Sequence, residues 1–138
     1  MCSIHNKAQI HYKFSVNADD LPAKDLIGKS DPYFQLKQGD LVLYTSEVVT
    51  NCLNPFWIEF FMSSNEMDSK EFVLDVWDHD SGSADDWIGS VTFKLHASFV
   101  QGSKRFKETI KDKKGKSVGE MEINIKVYRI SGKMTKFI

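Results

Sequence analysis

The chain has 138 residues, of which 41% are hydrophobic, 12% aromatic and 27% charged, with a formal net charge of −1. This composition fits one folded domain with a real hydrophobic core and excludes a disordered or low-complexity chain. No apolar run approaches the roughly 20 residues that span a bilayer, and the N-terminus lacks the apolar segment of a signal peptide. The two cysteines form neither a disulfide framework nor a zinc pattern, so we expect a reducing, cytoplasmic setting.

Alternation of apolar and polar residues predicts β-strands along the whole chain. Every second residue is apolar in residues 10–16 and again in residues 120–127. Eight short strands separated by turn residues predict an all-β fold, an eight-stranded antiparallel Greek-key sandwich. We expect one domain over residues 1–130, a C-terminal tail at 131–138, and one short helical turn at 96–102. The remaining strands are predicted at about 32–37, 41–49, 56–62, 71–78, 87–95 and 104–110.

The small net charge conceals two acidic windows, residues 19–31 and 78–86, which hold eight of the twelve aspartates. If both windows are loops between strands, five carboxylates converge at one end of the sandwich. Such like charges repel strongly, whereas a Ca²⁺ ion accepts six to eight oxygen ligands and removes the repulsion. Oxygen-only ligands disfavour zinc. The five side chains are Asp25, Asp31, Asp78, Asp80 and Asp86.

Two alternatives compete with this interpretation of the acidic windows. Aspartate is a common turn former, so either window alone is equally explained as a solvated loop. An EF-hand is excluded, because Ser83 and Gly89 stand where its pattern requires glycine and glutamate, and because the flanking segments are predicted strands.

Three strings of the sequence together resemble the calcium loops of C2 domains. The string GKSDPY at 28–33 resembles the first loop, TNCLNPFWIEFF at 50–61 resembles the second loop and its strand, and LDVWDHDSGSADDWIG at 74–89 resembles the third. Their order and spacing match, and the resemblance covers about residues 8–130. It implies an eight-stranded sandwich that binds calcium and then anionic phospholipid.

The resemblance implies a ligand set for two or three Ca²⁺ ions. The five aspartates named above are its side-chain ligands, the backbone carbonyls of Leu26 and His79 contribute, and Ser83 matches an auxiliary ligand position. Asp19, Asp20 and Asp85 match no ligand position, so we expect them to be loop surface. The first strand runs directly into the first calcium loop, which is similar to the permuted topology called type II.

Expected lipid contacts lie at the same end of the sandwich. Leu26 and Ile27 at the first loop and Gly82 at the third are the expected membrane contacts, although ordinary loop packing explains the first two equally well. By strand alternation, the connection between the last two strands also lies at this end. Its lysines are candidates for binding anionic lipid, with a solvated hairpin as the alternative: Lys111, Lys113, Lys114 and Lys116.

The resemblance therefore implies a membrane-targeting signalling module that binds phosphatidylserine-like membranes in a calcium-dependent way. We expect a cytoplasmic monomer that is recruited to the membrane when calcium rises. A calcium-regulated or calcium-independent protein-interaction module, which would bind a protein partner, is the alternative. No Ser/His/Asp arrangement or phosphate loop is visible, so we do not expect an enzyme, and the basic residues do not form a nucleic-acid pattern.

Overall fold

The structure, a computed structural model, describes residues 9–23, 28–65, 70–96, 99 and 101–130. Its eight strands pair antiparallel throughout, so the predicted all-β sandwich is confirmed. Within these ranges, no helix is long and apolar enough to cross a membrane. The strands are β1 (Gln9–Asp19), β2 (Pro32–Gln38), β3 (Leu41–Thr45), β4 (Phe60–Asn65), β5 (Lys70–Asp78), β6 (Asp86–Leu95), β7 (Gly102–Lys111) and β8 (Ser117–Ile130).

Two strand predictions were too long or displaced. The strand predicted at 41–49 ends at Thr45, and the one predicted at 56–62 begins only at Phe60. Between these points the backbone bonds are isolated, such as that from the N–H of Val49 to the carbonyl of Pro32 at 3.0 Å, and Glu47 Oε2 accepts the N–H of Ile58 at 2.6 Å. Residues 46–59 therefore form a long connection that leaves the sheet and rejoins it.

The short helical turn predicted at 96–102 falls largely outside the described residues, which include neither 97 and 98 nor 100. In the part that is described, the N–H of Phe99 donates to the carbonyl of His96 at 2.9 Å. This contact forms a turn of the chain between β6 and β7.

The strands run in the order β3-β2-β5-β6-β7-β8-β1-β4, and this order divides into two halves. β6 and β7 are paired only through Ser90 and Lys111, so we call β3-β2-β5-β6 sheet A and β7-β8-β1-β4 sheet B. Gly89 permits this crossing, since a Cβ there would lie 2.7 Å from the carbonyl oxygen of Lys111 and 2.8 Å from Cγ2 of Ile110. The two sheets thus meet closely along one side.

Aromatic side chains from both sheets fill the space between them. Phe60 of β4 stacks on Tyr44 of β3 at 3.8 Å between ring centroids, and Phe93 of β6 lies 5.1 Å from Phe106 of β7. Trp57, in the 46–59 connection, is fully buried. The core is therefore built between sheets A and B, as a sandwich requires.

Strand alternation brings four connections to one end of the sandwich. These are the segments between β1 and β2, β3 and β4, β5 and β6, and β7 and β8, and we call this end the loop end. The N–H of Trp57 donates to the carbonyl of Val16 at 3.1 Å, and its indole N–H donates to that of Pro32 at 3.2 Å. Trp57 therefore anchors the β3–β4 connection beneath the loop end.

Candidate metal centre

Asp31 and Asp78 are joined where β2 begins and β5 ends. Their neighbours are in register, with Pro32 opposite Asp78. The N–H of Asp31 donates to Oδ1 of Asp78 at 2.8 Å, and the carbonyl of Asp31 accepts the N–H of His79 at 2.9 Å. Asp78 is buried, whereas Asp31 is half-buried. These bonds fix the first and third loops to each other.

The β3–β4 connection braces the first loop from the other side. The N–H of Asn51 donates to Oδ1 of Asp31 at 2.6 Å, while Oδ1 of Asn51 accepts the N–H of Lys29 at 3.1 Å. The N–H of Cys52 donates to the carbonyl of Ser30 at 2.8 Å. Asn51 has a φ of 53°, a left-handed conformation that asparagine tolerates better than most residues. Asn51 is a positioning residue that the sequence did not identify.

Asp80 is held by its own loop. Its Oδ1 accepts the N–H of Gly82 at 2.9 Å, and its Oδ2 accepts the hydroxyl of Ser83 at 2.7 Å. These bonds, the Gly82 bond foremost, lower the pKa of Asp80 and keep the side chain ionised. Ser83, the expected auxiliary ligand, therefore donates its hydroxyl hydrogen bond to Asp80 in this structure.

Asp85 was expected to be loop surface, and this expectation is wrong. Its Oδ2 accepts the hydroxyl of Tyr33 at 2.5 Å, and its Oδ1 accepts the N–H of Asp80 at 3.0 Å. The Tyr33 bond is the main reason that the pKa of Asp85 is lowered. Burial, followed by the bond to Asp85, raises the pKa of Tyr33 to about 12. Asp85 therefore ties the third loop to β2 and sets the position of Asp80.

Four of the five predicted aspartates line one cavity of about 350 Å³ at the loop end. Lys29, which the sequence did not single out, also lines it, together with His79 and Ser81. Asp25, Leu26 and Ile27 lie outside the described residues, so the structure places neither the fifth aspartate nor the predicted apolar contacts. The four aspartates that line the cavity are Asp31, Asp78, Asp80 and Asp86.

The donor set of this cavity fits a hard cation such as Ca²⁺. All four acidic groups are carboxylates, and Oδ2 of Asp31 and Oδ2 of Asp78 accept no hydrogen bond from any described residue. In the described part of the chain, however, no three such groups converge closely enough to form a finished metal site. Both carboxylate oxygens of Asp80 are already hydrogen-bonded within the third loop, to Gly82 and Ser83.

The basic hairpin, residues 111–116, lies at the loop end beside the first loop. Asp112 organises its tip, because Oδ1 of Asp112 accepts the N–H groups of Lys114 and Lys116, each at 2.9 Å. Lys116 lines a cavity of about 330 Å³ together with Asp20 and Pro22 of the first loop. The four lysines named above are all exposed. Gly82, at the tip of the third loop, is exposed as well.

Comparison with known proteins identifies the family. The C2 domain family profile matches residues 14–111. Copine-B of Dictyostelium discoideum is 36% identical in an alignment 90 residues long, which covers 59% of this chain and 17% of copine-B. Elicitor-responsive protein 3 of Oryza sativa is 33% identical over 88 residues, which make up 64% of this chain and 61% of that protein. The chain therefore spans only part of the length of these relatives.

Solved structures show the same fold. The C2A domain of plant extended synaptotagmin 1 superposes with a TM-score of 0.72 at 22% identity, over 88% of this chain and 95% of that one. The calcium-bound C2A and C2B domains of extended synaptotagmin 2 give a TM-score of 0.63 at 22% identity, over 86% of this chain and 45% of that one. The profile match spans most of the chain and both structures share its fold. The chain therefore belongs to the C2 domain family.

Proposed function

We propose that this domain binds calcium in the loop-end cavity and thereby binds anionic phospholipid, as a non-catalytic membrane-targeting module of the cytoplasm. The observation that carries the proposal is the lining of one cavity by Asp31, Asp78, Asp80 and Asp86. We propose that the cavity binds two Ca²⁺ ions and that Asp25 is the fifth carboxylate ligand. Support also comes from the calcium-bound state of extended synaptotagmin 2, which has the same fold.

Formal charges indicate how the cavity would respond to ions. Four aspartates and Lys29 give the described lining a charge of −3, so an anionic headgroup is repelled. With Asp25 the total becomes −4, which two divalent ions neutralise. A bound Ca²⁺ also supplies open coordination positions for a phosphate or carboxylate oxygen of the lipid. A positive surface then requires a third ion or the neighbouring lysines of the basic hairpin.

Hydrogen bonds within the chain hold the first and third loops in position without a bound ion. Asp85 and Tyr33 fix the third loop, and Asn51 fixes Asp31. These bonds reduce the ordering that ligand binding would otherwise require. Both carboxylate oxygens of Asp80 accept hydrogen bonds, from Gly82 and Ser83, and a cation would share or replace these partners. We propose that the two loops form a largely preorganised cup.

Sedimentation with phosphatidylcholine–phosphatidylserine vesicles, with and without calcium, tests this function. We expect calcium-dependent pelleting that the double variant Asp78→Asn/Asp80→Asn abolishes, since asparagine keeps the size of each side chain and one acceptor oxygen but removes the charge. Asp40→Asn is the matched control, because Asp40 is exposed in the β2–β3 turn at the opposite end. Pelleting that calcium does not increase would refute the proposal, and the absence of pelleting in both conditions would favour a protein-interaction module.

A further inference from the structure

Exposed apolar side chains are concentrated on one side of the sandwich. Of the large hydrophobic side chains that the structure describes, seven are exposed, and six of these lie in β3, in the 46–59 connection or in β4. Phe56, Ile58 and Phe61 are 69%, 69% and 66% exposed. Such a concentration, unlike single apolar residues scattered over a surface, marks an interaction surface. The six side chains are those of Leu41, Val42, Val48, Phe56, Ile58 and Phe61.

The same side of the sandwich carries the two outer strand edges. β3 and β4 end the strand order, so each has one neighbour among the described strands. In an edge strand, every second residue points its N–H and C=O away from the sheet, where they can pair with another strand. The ring of Tyr44 in β3 stacks on that of Phe60 in β4, so the two edges lie next to each other. Backbone hydrogen-bonding groups and exposed apolar side chains therefore coincide here.

Of the two edges, β4 is the better suited to pairing with another strand. Its ladder with β1 is regular over six residue pairs, whereas the ladder of β3 with β2 has four pairs and an irregularity between Leu36 and Lys37. Such irregularities distort an edge and hinder further pairing. The sequence of β4, FFMSSN, contains no charged residue and no proline, the residues that usually protect an exposed edge. β4 therefore presents a regular and unprotected edge.

Area and charge indicate a second copy of the chain as the partner. At about 150–200 Å² for a whole side chain of this size, the exposed fractions of the six residues correspond to roughly 500–700 Å². A standard interface buries about 800 Å² per partner, so these side chains and the β4 backbone together approach that size. The nearest charges, on Lys13 and Glu59, are paired at 3.5 Å, and the whole chain carries only −1. Two copies can therefore meet here without strong repulsion.

An identical edge is also self-complementary. When two copies of one strand run antiparallel, the outward N–H groups of each face the outward carbonyls of the other, and a two-fold axis relates them. We propose that two copies of this chain pair through β4 in a symmetric antiparallel dimer, which covers the exposed apolar side chains beside that edge. β4 begins at the loop end and runs toward the opposite end, so the two loop-end cavities point in opposite directions.

Sedimentation velocity of the full chain in a calcium chelator, over a wide range of protein concentrations, tests the dimer. We expect the mass to rise from one chain to two. Phe61→Glu should weaken the dimer about 100-fold, because each copy loses one buried aromatic side chain worth about tenfold in affinity. Within one copy the new carboxylate lies opposite Lys13, so the fold should tolerate it. Melting temperatures at low concentration check that the variants have folded.

Tyr128→Glu is the matched control. Tyr128, the seventh exposed side chain, lies on β8, which β1 separates from β4, so this variant should leave the dimer unchanged. A monomer at every concentration, the state first expected, would overturn the proposal, and so would equal weakening by the two variants. A monomer whose vesicle binding is weakened by Phe61→Glu would overturn it as well, because lipid would then cover the apolar side chains.

Vesicle clustering tests the orientation, and this arm alone rests on the proposed calcium function. With calcium and phosphatidylserine vesicles, the dimer should bind two vesicles at once and raise light scattering. Phe61→Glu should pellet with vesicles but not cluster them. A dimer that pellets without clustering would overturn the opposed orientation. A dimer that forms in chelator but never binds vesicles would support the pairing through β4 and count against the proposed calcium function.

Discussion

The contrast between Trp57 and Trp77 provides a direct test of the packing beneath the metal site. The indole N–H of Trp57 donates to the carbonyl of Pro32, the residue after Asp31. The indole N–H of Trp77 is also buried, but no described residue accepts it. Replacing either residue by phenylalanine removes the indole N–H and replaces the two-ring indole by a smaller phenyl ring. The two substitutions therefore differ in whether a hydrogen bond is lost, and also in burial, since Trp57 is fully buried and Trp77 is half-buried.

The expected energies follow from this difference. Trp57→Phe loses a buried hydrogen bond of about 1 kcal/mol and leaves a small cavity that costs about 1–2 kcal/mol. Its total cost is then about 2–3 kcal/mol. Trp77→Phe also loses contacts, but it removes an unpartnered polar group whose burial costs about 1–3 kcal/mol. The two terms offset each other, so we expect Trp77→Phe to be close to neutral.

Urea unfolding followed by circular dichroism, in a calcium chelator, measures both costs. At about 4 °C per kcal/mol for a domain of this size, thermal melts should show a drop of about 8–12 °C for Trp57→Phe. The melting temperature of Trp77→Phe should stay near that of the unsubstituted protein. Equal losses in the two variants would refute the reasoning, because ring volume alone would then decide the stability.

Two further predictions concern the charges around the cavity. Lys29→Gln should strengthen calcium binding by about threefold or more in calorimetry, because a cation that lines the cavity is removed; unchanged affinity would mean that Lys29 does not reach the ion. The lowered pKa of Asp85 implies stability that is present above its unfolded pKa, near the ordinary value of 3.8, and is lost as the pH falls toward the folded value. Asp85→Asn should therefore flatten the acid side of the stability profile, and an unaltered profile would contradict this.

The fold could be predicted largely from alternation, since each strand buries one face and its polar residues mark the other. The second-loop segment could not, because residues 46–59 are held by single bonds to different parts of the fold, such as those of Trp57 to Val16 and Pro32, and such bonds leave no periodic signal. The type II label and the 1–130 boundary remain predictions.

The acidic site, too, could be predicted only in part. The spacing of the loops predicted that Asp31 and Asp78 lie together, and the structure joins them by a hydrogen bond. Asp85 and Asp86 are neighbours with the same side chain, and only the register of β5 and β6, with its irregularity between Val76 and Trp77, decides how they lie. Spacing alone could not distinguish the positioning residue from the cavity residue.

The order of the strands has a consequence for labelling and insertion. β3 and β4 are the two outer strands, and the connection that joins them carries both Asn51 and Trp57. A peptide inserted into residues 46–59 would therefore disturb both Asn51, which positions Asp31, and Trp57, which packs beneath the loop end. The β2–β3 turn lies at the opposite end, and nothing lies within 4 Å of where a Cβ of Gly39 would be. A reporter placed in that turn would follow the domain to a membrane without touching the loop-end cavity.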